Sequence, residues 1–288
     1  MTATEKRQRL RAILAGRDCV GAASVWDPIS ARLADRLGID IGLMGGSIAS
    51  FTVLGAPDVI VLTLSELAEQ VRRACRASHV ALVVDADHGY GNSLNVMRTV
   101  EELEHAGAAG LCIEDTLLPH AFGSTEKPAL IALAEGVAKI RAAVAARRDP
   151  SLVVMGRTSA FAITSLEDAV ARLKAYETAG ADGLFVPGLR TRAELERIAG
   201  ATTLPLMIGA PGTELSDPIY LASHRARVWS AGHQAFAAAV AAVEETMRAL
   251  RDGTPPAKLK GIASQELMEW VTRGEEYADS AQKYLKAE

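Results

Sequence analysis

The chain has 288 residues, of which 49% are hydrophobic and 23% charged, and its formal net charge is −4 at pH 7. This composition is typical of a globular protein with an ample core. The slightly acidic balance gives no reason to expect nucleic acid or an anionic membrane surface as a partner. Because no apolar run approaches the length of a membrane span, we expect no integral membrane segment.

The first 16 residues predict a charged amphipathic helix. This segment lacks the apolar core of a signal peptide, so we do not expect secretion. The three cysteines, Cys19, Cys75 and Cys112, lack the spacing of a metal site, and their number is odd. Free thiols in a reducing, cytoplasmic compartment are therefore expected.

Short apolar runs that alternate with helical segments predict eight strands, starting near residues 19, 39, 81, 109, 152, 183, 205 and 227. The ten-residue stretches that begin at residues 37, 106 and 179 repeat one unit, in which a glycine ends a helix and a strand follows. Strands and helices in alternation form a parallel sheet through crossover connections. Eight such units in a chain of this length predict a closed (β/α)8 barrel of the TIM type, preceded by the N-terminal helix.

A clear break follows the last predicted barrel helix, at residues 252–256, which read Asp-Gly-Thr-Pro-Pro. Beyond it a further helix is predicted over residues 264–287, with Trp270 among its apolar positions. A helix outside a completed barrel needs an apolar surface to cover, which is either its own barrel or a neighbouring subunit, and the break before it favours the neighbour. We therefore expect a barrel over residues 1–254 and a helical extension over residues 255–288 that packs on a neighbouring subunit.

Residues 85–91, Asp-Ala-Asp-His-Gly-Tyr-Gly, follow a short apolar run that predicts a buried strand. Side chains alternate along a strand, so Asp85 and Asp87 are expected on one face at its carboxyl end. Two like charges there are costly unless a cation holds them, and oxygen ligands suit Mg²⁺, with Mn²⁺ as a substitute. From the residues alone, one aspartate capping a helix and the other forming a salt bridge is an open alternative.

In a barrel of this type, chemistry takes place at the carboxyl ends of the strands. Those ends carry a Gly-Gly-Ser turn, four carboxylates on two adjacent strands and one arginine: Gly45, Gly46, Ser47, Asp85, Asp87, Glu114, Asp115 and Arg157. The planar guanidinium of Arg157 suits a substrate carboxylate that accepts two hydrogen bonds. Two plainer interpretations stay open: Arg157 neutralises Glu114 or Asp115, and the Gly-Gly-Ser turn only connects a strand to a helix.

Two motifs make the chain resemble the phosphoenolpyruvate mutase/isocitrate lyase superfamily. They are Asp-Ala-Asp-x-Gly-Tyr-Gly at residues 85–91 and Ile-Glu-Asp at residues 113–115. The similarity extends over most of the chain, through Leu-Gly-Ala-Pro-Asp at residues 54–58 to the strand that ends at Arg157. It implies a modified (β/α)8 barrel and a Mg²⁺ site for 2-oxo acids and their enolates.

The resemblance also implies roles for individual residues. It implies that Asp85 binds the metal directly and that three further carboxylates surround it mainly through metal-bound water: Asp58, Asp87 and Glu114. It implies that Ser47 and Gly46 bind a substrate carboxylate and that Arg157 is a second carboxylate clamp. These assignments rest on the family likeness and not on spacing alone.

Departures from the superfamily pattern indicate one branch. Residues 117–130 lack the Lys-Lys/Arg-Cys-Gly-His loop of isocitrate and methylisocitrate lyases, in which the cysteine is the catalytic acid. They also lack the Lys-x-Asn-Ser loop of the mutase and the phosphonate hydrolases. What remains resembles the oxaloacetate decarboxylase branch, through residues 85–100, residues 113–119 and Gly-His-x-Ala-x-x-Ala at residues 232–238. That branch places a substrate-contacting histidine at the position of His233.

The branch implies a carboxy-lyase that converts oxaloacetate into pyruvate and CO₂ through a metal-stabilised enolpyruvate, assembled as a homotetramer. Arg157 is expected to hold the C1 carboxylate. His233 is expected either to orient the departing C4 carboxylate or to help deliver a proton, and the sequence does not decide between these roles. Two alternatives stay open: a C–C lyase or hydrolase acting on another 2-oxo or 2-hydroxy acid, and a non-catalytic barrel that binds dicarboxylates.

Overall fold

The computed structural model describes residues 1–120, 122–123 and 127–286, and its eight parallel strands close into a barrel in sequence order. The strands are β1 (Val20–Ser24), β2 (Ile41–Met44), β3 (Ala81–Asp85), β4 (Gly110–Glu114), β5 (Val153–Arg157), β6 (Gly183–Pro187), β7 (Leu206–Gly209) and β8 (Ala226–Ser230). β8 pairs with β1 and so completes the ring. The predicted (β/α)8 barrel is confirmed, and each strand begins within two residues of its predicted start.

Helices separate the strands along the chain, and capping residues mark the ends of several of them. The helices are α1 (Ala3–Ala15), α2 (Pro28–Arg36), α3 (Gly46–Leu54), α4 (Leu64–Ala77), α5 (Ser93–Ala106), α6 (Leu133–Ala146), α7 (Ala160–Ile163), α8 (Leu166–Thr178), α9 (Arg192–Ala201), α10 (Pro218–Ser223), α11 (Gln234–Arg251), α12 (Gln265–Thr272) and α13 (Gly274–Tyr284). Asp27 caps α2 by accepting a hydrogen bond from the Ser30 N–H, and Pro28 occupies the first turn. Gly107 ends α5 in the left-handed conformation.

The N-terminal helix α1 covers the end of the barrel at which the strands begin. Leu10 and Leu14 of this helix belong to the same core cluster as the inward-facing side chains of the strands. Arg7, which is buried, donates hydrogen bonds to the backbone oxygens of Ala108 and Glu104. Apolar packing and buried hydrogen bonds thus fasten α1 to the amino-terminal end of the barrel, opposite the end where the predicted site residues lie.

The chain forms two compact units, Met1–Gly232 and His233–Glu288. The boundary predicted from the sequence lies after residue 254, whereas the second unit already includes α11, none of whose residues is buried. In place of the single helix predicted over residues 264–287, the structure has α12 and α13, separated at Arg273 in a left-handed conformation; residue 287 lies outside the described residues. No helix in the described chain is both long and apolar enough to cross a membrane.

Candidate active site

A pocket of about 140 Å³ opens at the carboxyl ends of the strands β2 to β5. It is lined by Ser47, Asp58, Ile60, Asp85, Asp87, Glu114, Leu118 and Arg157. Every polar residue in this lining is one that the sequence analysis singled out. The lining combines four carboxylates with one guanidinium, a formal excess of three negative charges when all of them are ionised.

The Asp85 carboxylate, at the end of β3, is held on both of its oxygens. Its Oδ1 accepts a hydrogen bond from the Cys112 thiol of β4 at 3.3 Å and another from the backbone N–H of Asp87 at 3.3 Å. Its Oδ2 forms an ion pair with Nη1 of Arg157. Oδ1 is thus fixed by a group in the turn after β3 and a group on β4, while Oδ2 faces the Arg157 guanidinium.

A tight turn follows β3 and places the second carboxylate. Asp87, Gly89, Tyr90 and Gly91 have φ values of +48°, +80°, +59° and +143°, respectively. Left-handed conformations are uncommon for residues other than glycine and carry an energetic cost that recurs at functional sites. Asp85 and Asp87 line the same pocket, as the sequence predicts, although Asp87 reaches it through a left-handed turn and not through strand alternation.

The first residue of α3, Gly46, lies against the Asp87 carboxylate. A Cβ atom at Gly46 would come within 2.3 Å of Asp87 Oδ1 and 2.4 Å of Asp87 Oδ2, so only glycine permits this approach. The first N–H groups of a helix have no partner within the helix, and its positive end favours nearby negative charge. The start of α3, including Ser47, therefore presents N–H groups and a hydroxyl beside the acidic cluster.

Arg157, the last residue of β5, connects two of the carboxylates. Besides its ion pair with Asp85, its Nη2 lies 3.0 Å from Glu114 Oε2. Its guanidinium also lies over the Phe185 ring, 5.4 Å from the ring centroid. Burial disfavours the charged form of Arg157, but Asp85 and Glu114 outweigh this and raise its pKa above the ordinary value. The guanidinium thus stays charged and offsets part of the acidic cluster.

Three of the four pocket carboxylates, Asp58, Asp87 and Glu114, lie in a setting that disfavours their negative charge. Burial raises the pKa of Glu114 to about 7, although Arg157 opposes the shift. Burial, followed by the Asp85 and Glu114 charges, raises the pKa of Asp87 well above its usual value. Desolvation and the charge of Asp85 also raise the pKa of Asp58. Such a cluster is stabilised by a bound cation.

Asp115 does not join this cluster, although it follows Glu114 directly. Its Oδ2 accepts hydrogen bonds from Arg172 at 3.1 Å and from the Tyr176 hydroxyl at 2.6 Å, and the residue is 1% exposed. Consecutive residues at the end of a strand point to opposite faces, so Glu114 faces the pocket and Asp115 faces the surrounding helices. Of the two predicted partners of Arg157, only Glu114 contacts it.

Sequence reasoning missed four residues of the site and its support: Cys112, Lys139, Ile60 and Leu118. The thiol of Cys112 lies under Asp85, while Ile60 and Leu118 form the apolar part of the pocket wall. Alternation along β4 identifies Cys112, because it lies two residues before Glu114 and therefore on the same face. The sequence carries no comparable signal for Ile60, which has a φ of +59° in the segment between α3 and α4.

Two predicted features extend beyond the residues that line this pocket. His233 is the first residue of the second unit and the N-cap residue of α11, so its contact with substrate stays a prediction. The loop expected over residues 117–130, which distinguishes the branches of the superfamily, includes residues 121 and 124–126, and these lie outside the described residues. The part of this loop that contributes Leu118 does line the pocket.

The donor set fits a hard divalent cation such as Mg²⁺. The pocket offers carboxylate oxygens and a serine hydroxyl and no sulfur or imidazole ligand, and such oxygen donors suit Mg²⁺ and Mn²⁺. Within the described part of the chain, no group of three or more His, Cys, Asp and Glu side chains is arranged to hold one metal ion. Because Mg²⁺ usually keeps several of its waters, one direct carboxylate with others around it is a suitable arrangement.

Comparisons with known proteins agree with this architecture. Residues 10–251 match the family model described as phosphoenolpyruvate phosphomutase. The chain is 58% identical over 273 residues to the oxaloacetate decarboxylase of Rhodopseudomonas palustris (strain BisB18), with 95% of this chain and 94% of the relative covered.

Solved structures support the same family relationship. The phosphoenolpyruvate phosphomutase from Streptomyces platensis subsp. rosaceus superimposes with a TM-score of 0.87 at 27% identity, covering 97% of this chain and 99% of that one. A phosphonopyruvate hydrolase in complex with oxalate and Mg²⁺ superimposes with a TM-score of 0.85 at 29% identity, covering 99% and 100%. The chain therefore belongs to the phosphoenolpyruvate mutase/isocitrate lyase superfamily, in its oxaloacetate decarboxylase branch.

Proposed function

We propose that this protein is a carboxy-lyase that converts oxaloacetate into pyruvate and CO₂ with Mg²⁺ as cofactor and Mn²⁺ as a substitute. The observation that carries the proposal is the convergence of four carboxylates, one arginine and the start of α3 on one pocket at the carboxyl ends of the strands. The 58% identity to a protein named oxaloacetate decarboxylase supports the choice of substrate.

In this proposal Asp85 binds the metal directly, and Asp58, Asp87 and Glu114 surround it mainly through water. Asp85 is suited to direct ligation because its Oδ1 is already fixed by the Cys112 thiol and the Asp87 N–H. When bound, Mg²⁺ supplies Lewis-acid stabilisation of the negative charge that develops on the C2 oxygen of the substrate. The excess of carboxylates over cations in the lining supports a divalent ion at this position.

In this proposal two groups bind the substrate carboxylate at C1, one at the start of α3 and one at the end of β5. The N–H groups at the start of α3, from Gly46 and Ser47, together with the Ser47 hydroxyl, suit a carboxylate oxygen. The Arg157 guanidinium supplies a charged second clamp. Arg157 contacts Asp85 and Glu114 in the structure, so we expect it to share its N–H groups between these carboxylates and the substrate.

Decarboxylation breaks the C3–C4 bond, and its electron pair moves into the C2–C3 bond while charge develops on the C2 oxygen. Groups that orient C1 and C2 leave C4 free to depart as CO₂, and C3 of the resulting enolate then takes up a proton. Donors fixed beside the C2 oxygen lower the barrier because they need no rearrangement as the charge develops. His233 is proposed either to orient the departing carboxylate or to help deliver the proton.

Turnover of oxaloacetate tests this function. Purified protein is assayed for oxaloacetate loss coupled to pyruvate formation, with Mg²⁺ and with excess chelator. We expect rapid turnover above the spontaneous metal-catalysed rate, loss of turnover with chelator, and a decrease of more than about 100-fold for Asp85→Ala, which removes the direct ligand. Asp252→Ala, which removes an exposed carboxylate of the second unit, serves as the control. A rate with wild-type protein that does not exceed the spontaneous rate in Mg²⁺ would refute the assignment.

We also propose that the protein forms homotetramers in which residues 255–288 pack on a neighbouring subunit. The second unit exposes large apolar side chains, including Met247, Trp270 and Tyr277, which supports a further protein surface as their cover. Light scattering during size-exclusion chromatography tests this directly. We expect a mass four times that of the 30.4 kDa chain, whereas a mass equal to one chain would exclude the tetramer.

We also propose that the protein is located in the cytoplasm. The three cysteines are free, and Cys75 and Cys112 are buried as thiols. Unpaired thiols of this kind are typical of proteins from reducing compartments. Fractionation of the source cells, followed by immunodetection, tests the location, and recovery outside the cytosol would contradict it.

A further inference from the structure

A buried lysine lies close to the acidic pocket and has no place in the reaction described above. Lys139 projects from α6, and only 3% of its surface is exposed. Its Nζ donates a hydrogen bond to the backbone oxygen of His88 at 2.9 Å. Burying an ammonium group is costly unless hydrogen bonds or opposite charges compensate. The location of the carbonyl oxygen that accepts this hydrogen bond therefore indicates which part of the structure the ammonium group stabilises.

The oxygen that Lys139 contacts belongs to the left-handed turn that presents Asp87. His88 lies between Asp87 and Gly89, whose φ values are +48° and +80°. The turn is held at its ends by the Gly89 N–H, which donates to Ala86 O at 2.9 Å, and by the Thr99 hydroxyl, which donates to Gly89 O at 3.1 Å. The lysine is a charged donor to the peptide that joins His88 to Gly89, one residue after Asp87.

The positive charge of Lys139 also interacts with the acidic residues around the pocket. Burial lowers the pKa of Lys139, while the Glu135, Glu114 and Asp115 carboxylates oppose this shift. Glu114 lines the pocket, so the ammonium is near enough to interact with the acidic cluster from outside the lining. In this position the ammonium offsets part of the negative charge of Glu114, one of the four pocket carboxylates.

We propose that Lys139 is a positioning residue of the metal site: by bonding the His88 carbonyl it fixes the left-handed turn that carries Asp87. This inference rests on the proposed metal site and adds a residue outside the pocket that sets its affinity. Lys139 touches neither metal nor substrate in this role. Its loss should therefore weaken metal binding more than it weakens substrate binding at saturating metal.

The chain contains a matched control for this role. Lys6 is also buried, with 4% of its surface exposed, and its Nζ donates to the backbone oxygens of Cys75 and Ser78. Burial lowers the pKa of Lys6 as well. Lys6 lies on α1, at the amino-terminal end of the barrel. Lys139→Met and Lys6→Met thus both remove a buried ammonium bonded to carbonyl oxygens, but only the first is next to the acidic turn.

The experiment measures metal binding without substrate. Free Mn²⁺ is followed by electron paramagnetic resonance during titration of wild type, Lys139→Met and Lys6→Met, and the thermal stability of each is recorded. Hydrogen exchange of the peptide that spans residues 86–92 is measured on the same samples. We expect Lys139→Met to weaken Mn²⁺ binding at least tenfold and to speed exchange in this peptide. Lys6→Met is expected to lose comparable stability with Mn²⁺ affinity within twofold of wild type.

Other outcomes count against the inference in distinguishable ways. If wild type binds Mn²⁺ and Lys139→Met binds it equally well, Lys139 has only a structural role and the proposed function stands. If both lysine variants weaken Mn²⁺ binding to the same degree, the effect reflects general destabilisation and the inference fails. If wild type does not bind Mn²⁺, the metal site and this inference both fail. Should Lys139→Met not fold, Lys139→Gln is expected to weaken binding at least threefold, and unchanged affinity would refute the role.

Discussion

Asp85 and Cys112 are register partners on β3 and β4, and the Cys112 thiol donates a hydrogen bond to Asp85 Oδ1 at 3.3 Å. Burial, followed by the negative charge of Asp85, raises the pKa of Cys112 well above its usual value, so the group stays a thiol and a donor. The carboxylate proposed to bind the metal is therefore anchored from inside the barrel. Its geometry depends on a residue that does not reach the pocket.

Substitution of Cys112 is expected to change metal affinity. Cys112→Ser keeps a donor, and we expect its Mg²⁺ half-saturation to stay within about threefold of wild type. Cys112→Val removes the donor and is expected to raise half-saturation about tenfold, because a hydrogen bond to a charged group contributes about 1.5 kcal/mol. Turnover measured against Mg²⁺ concentration tests this, and equal half-saturation for the two variants would contradict it.

Gly46→Ala is expected to disable the site. The new methyl group would lie 2.3 Å from Asp87 Oδ1, so either the carboxylate or the start of α3 must move. We expect a decrease of at least about tenfold in kcat/KM and a loss of about 1–3 kcal/mol in stability from overpacking. Gly200→Ala is the control, since a Cβ there meets nothing within 4 Å. A Gly46→Ala variant with normal kinetics would show that this close approach is unimportant.

The neighbours Glu114 and Asp115 are expected to respond in opposite ways. Glu114→Gln removes a pocket carboxylate, so we expect a large loss of turnover with little loss of metal-free stability, because repulsion within the cluster falls. Asp115→Ala leaves Arg172 and Tyr176 without their buried partner and is expected to cost about 3–5 kcal/mol of stability. Urea unfolding and steady-state kinetics on both variants separate the effects. The same phenotype for both substitutions would overturn this division of roles.

Thiol reactivity is expected to be low in the native protein. Burial raises the pKa of Cys19 to about 11, with Arg227 opposing the shift, and burial raises the pKa of Cys75 to about 11 as well. Raising a thiol pKa lowers the thiolate fraction at fixed pH, so at pH 8 each should contain about 100-fold less thiolate than an ordinary cysteine. Alkylation at pH 8 should be slow until the chain is unfolded, and its rate should increase up to about pH 11. Rapid labelling of folded protein at pH 8 would contradict this.

The sequence predicts the barrel because its signals are local: glycines end helices, apolar runs mark strands, and polar residues follow the runs. Because the strand ends of a barrel meet at one rim, the sequence also identifies the polar lining except Asp58, which only the family resemblance supplies. It does not reveal which strand residues become partners, and so the pairing of Asp85 with Cys112 depends on a register that only the closed barrel sets. Both Glu114 and Asp115 lie at the carboxyl end of β4, so their position along the chain does not show which one faces the pocket. The alternation of side chains along the strand does.

Support from outside the strands is harder to predict. Lys139 is a helix residue whose partner is a backbone oxygen of a turn, and no spacing in the sequence links the two. The left-handed conformation of Asp87 likewise cannot be predicted from its residue type, because aspartate is also common in turns with ordinary backbone conformations. These features arise from tertiary packing around the strand ends.

The packing of α1 against the amino-terminal end of the barrel restricts where substrate enters and where products leave. Leu10 and Leu14 seal that end together with the side chains that fill the barrel interior. In the described chain, substrate and products are therefore expected to share the entrance at the opposite rim. Because CO₂ is uncharged, whereas the proposed carboxylate site would hold pyruvate, CO₂ is expected to leave first. A second molecule of oxaloacetate is then expected to bind only after pyruvate has left the site, so pyruvate is expected to inhibit competitively with oxaloacetate.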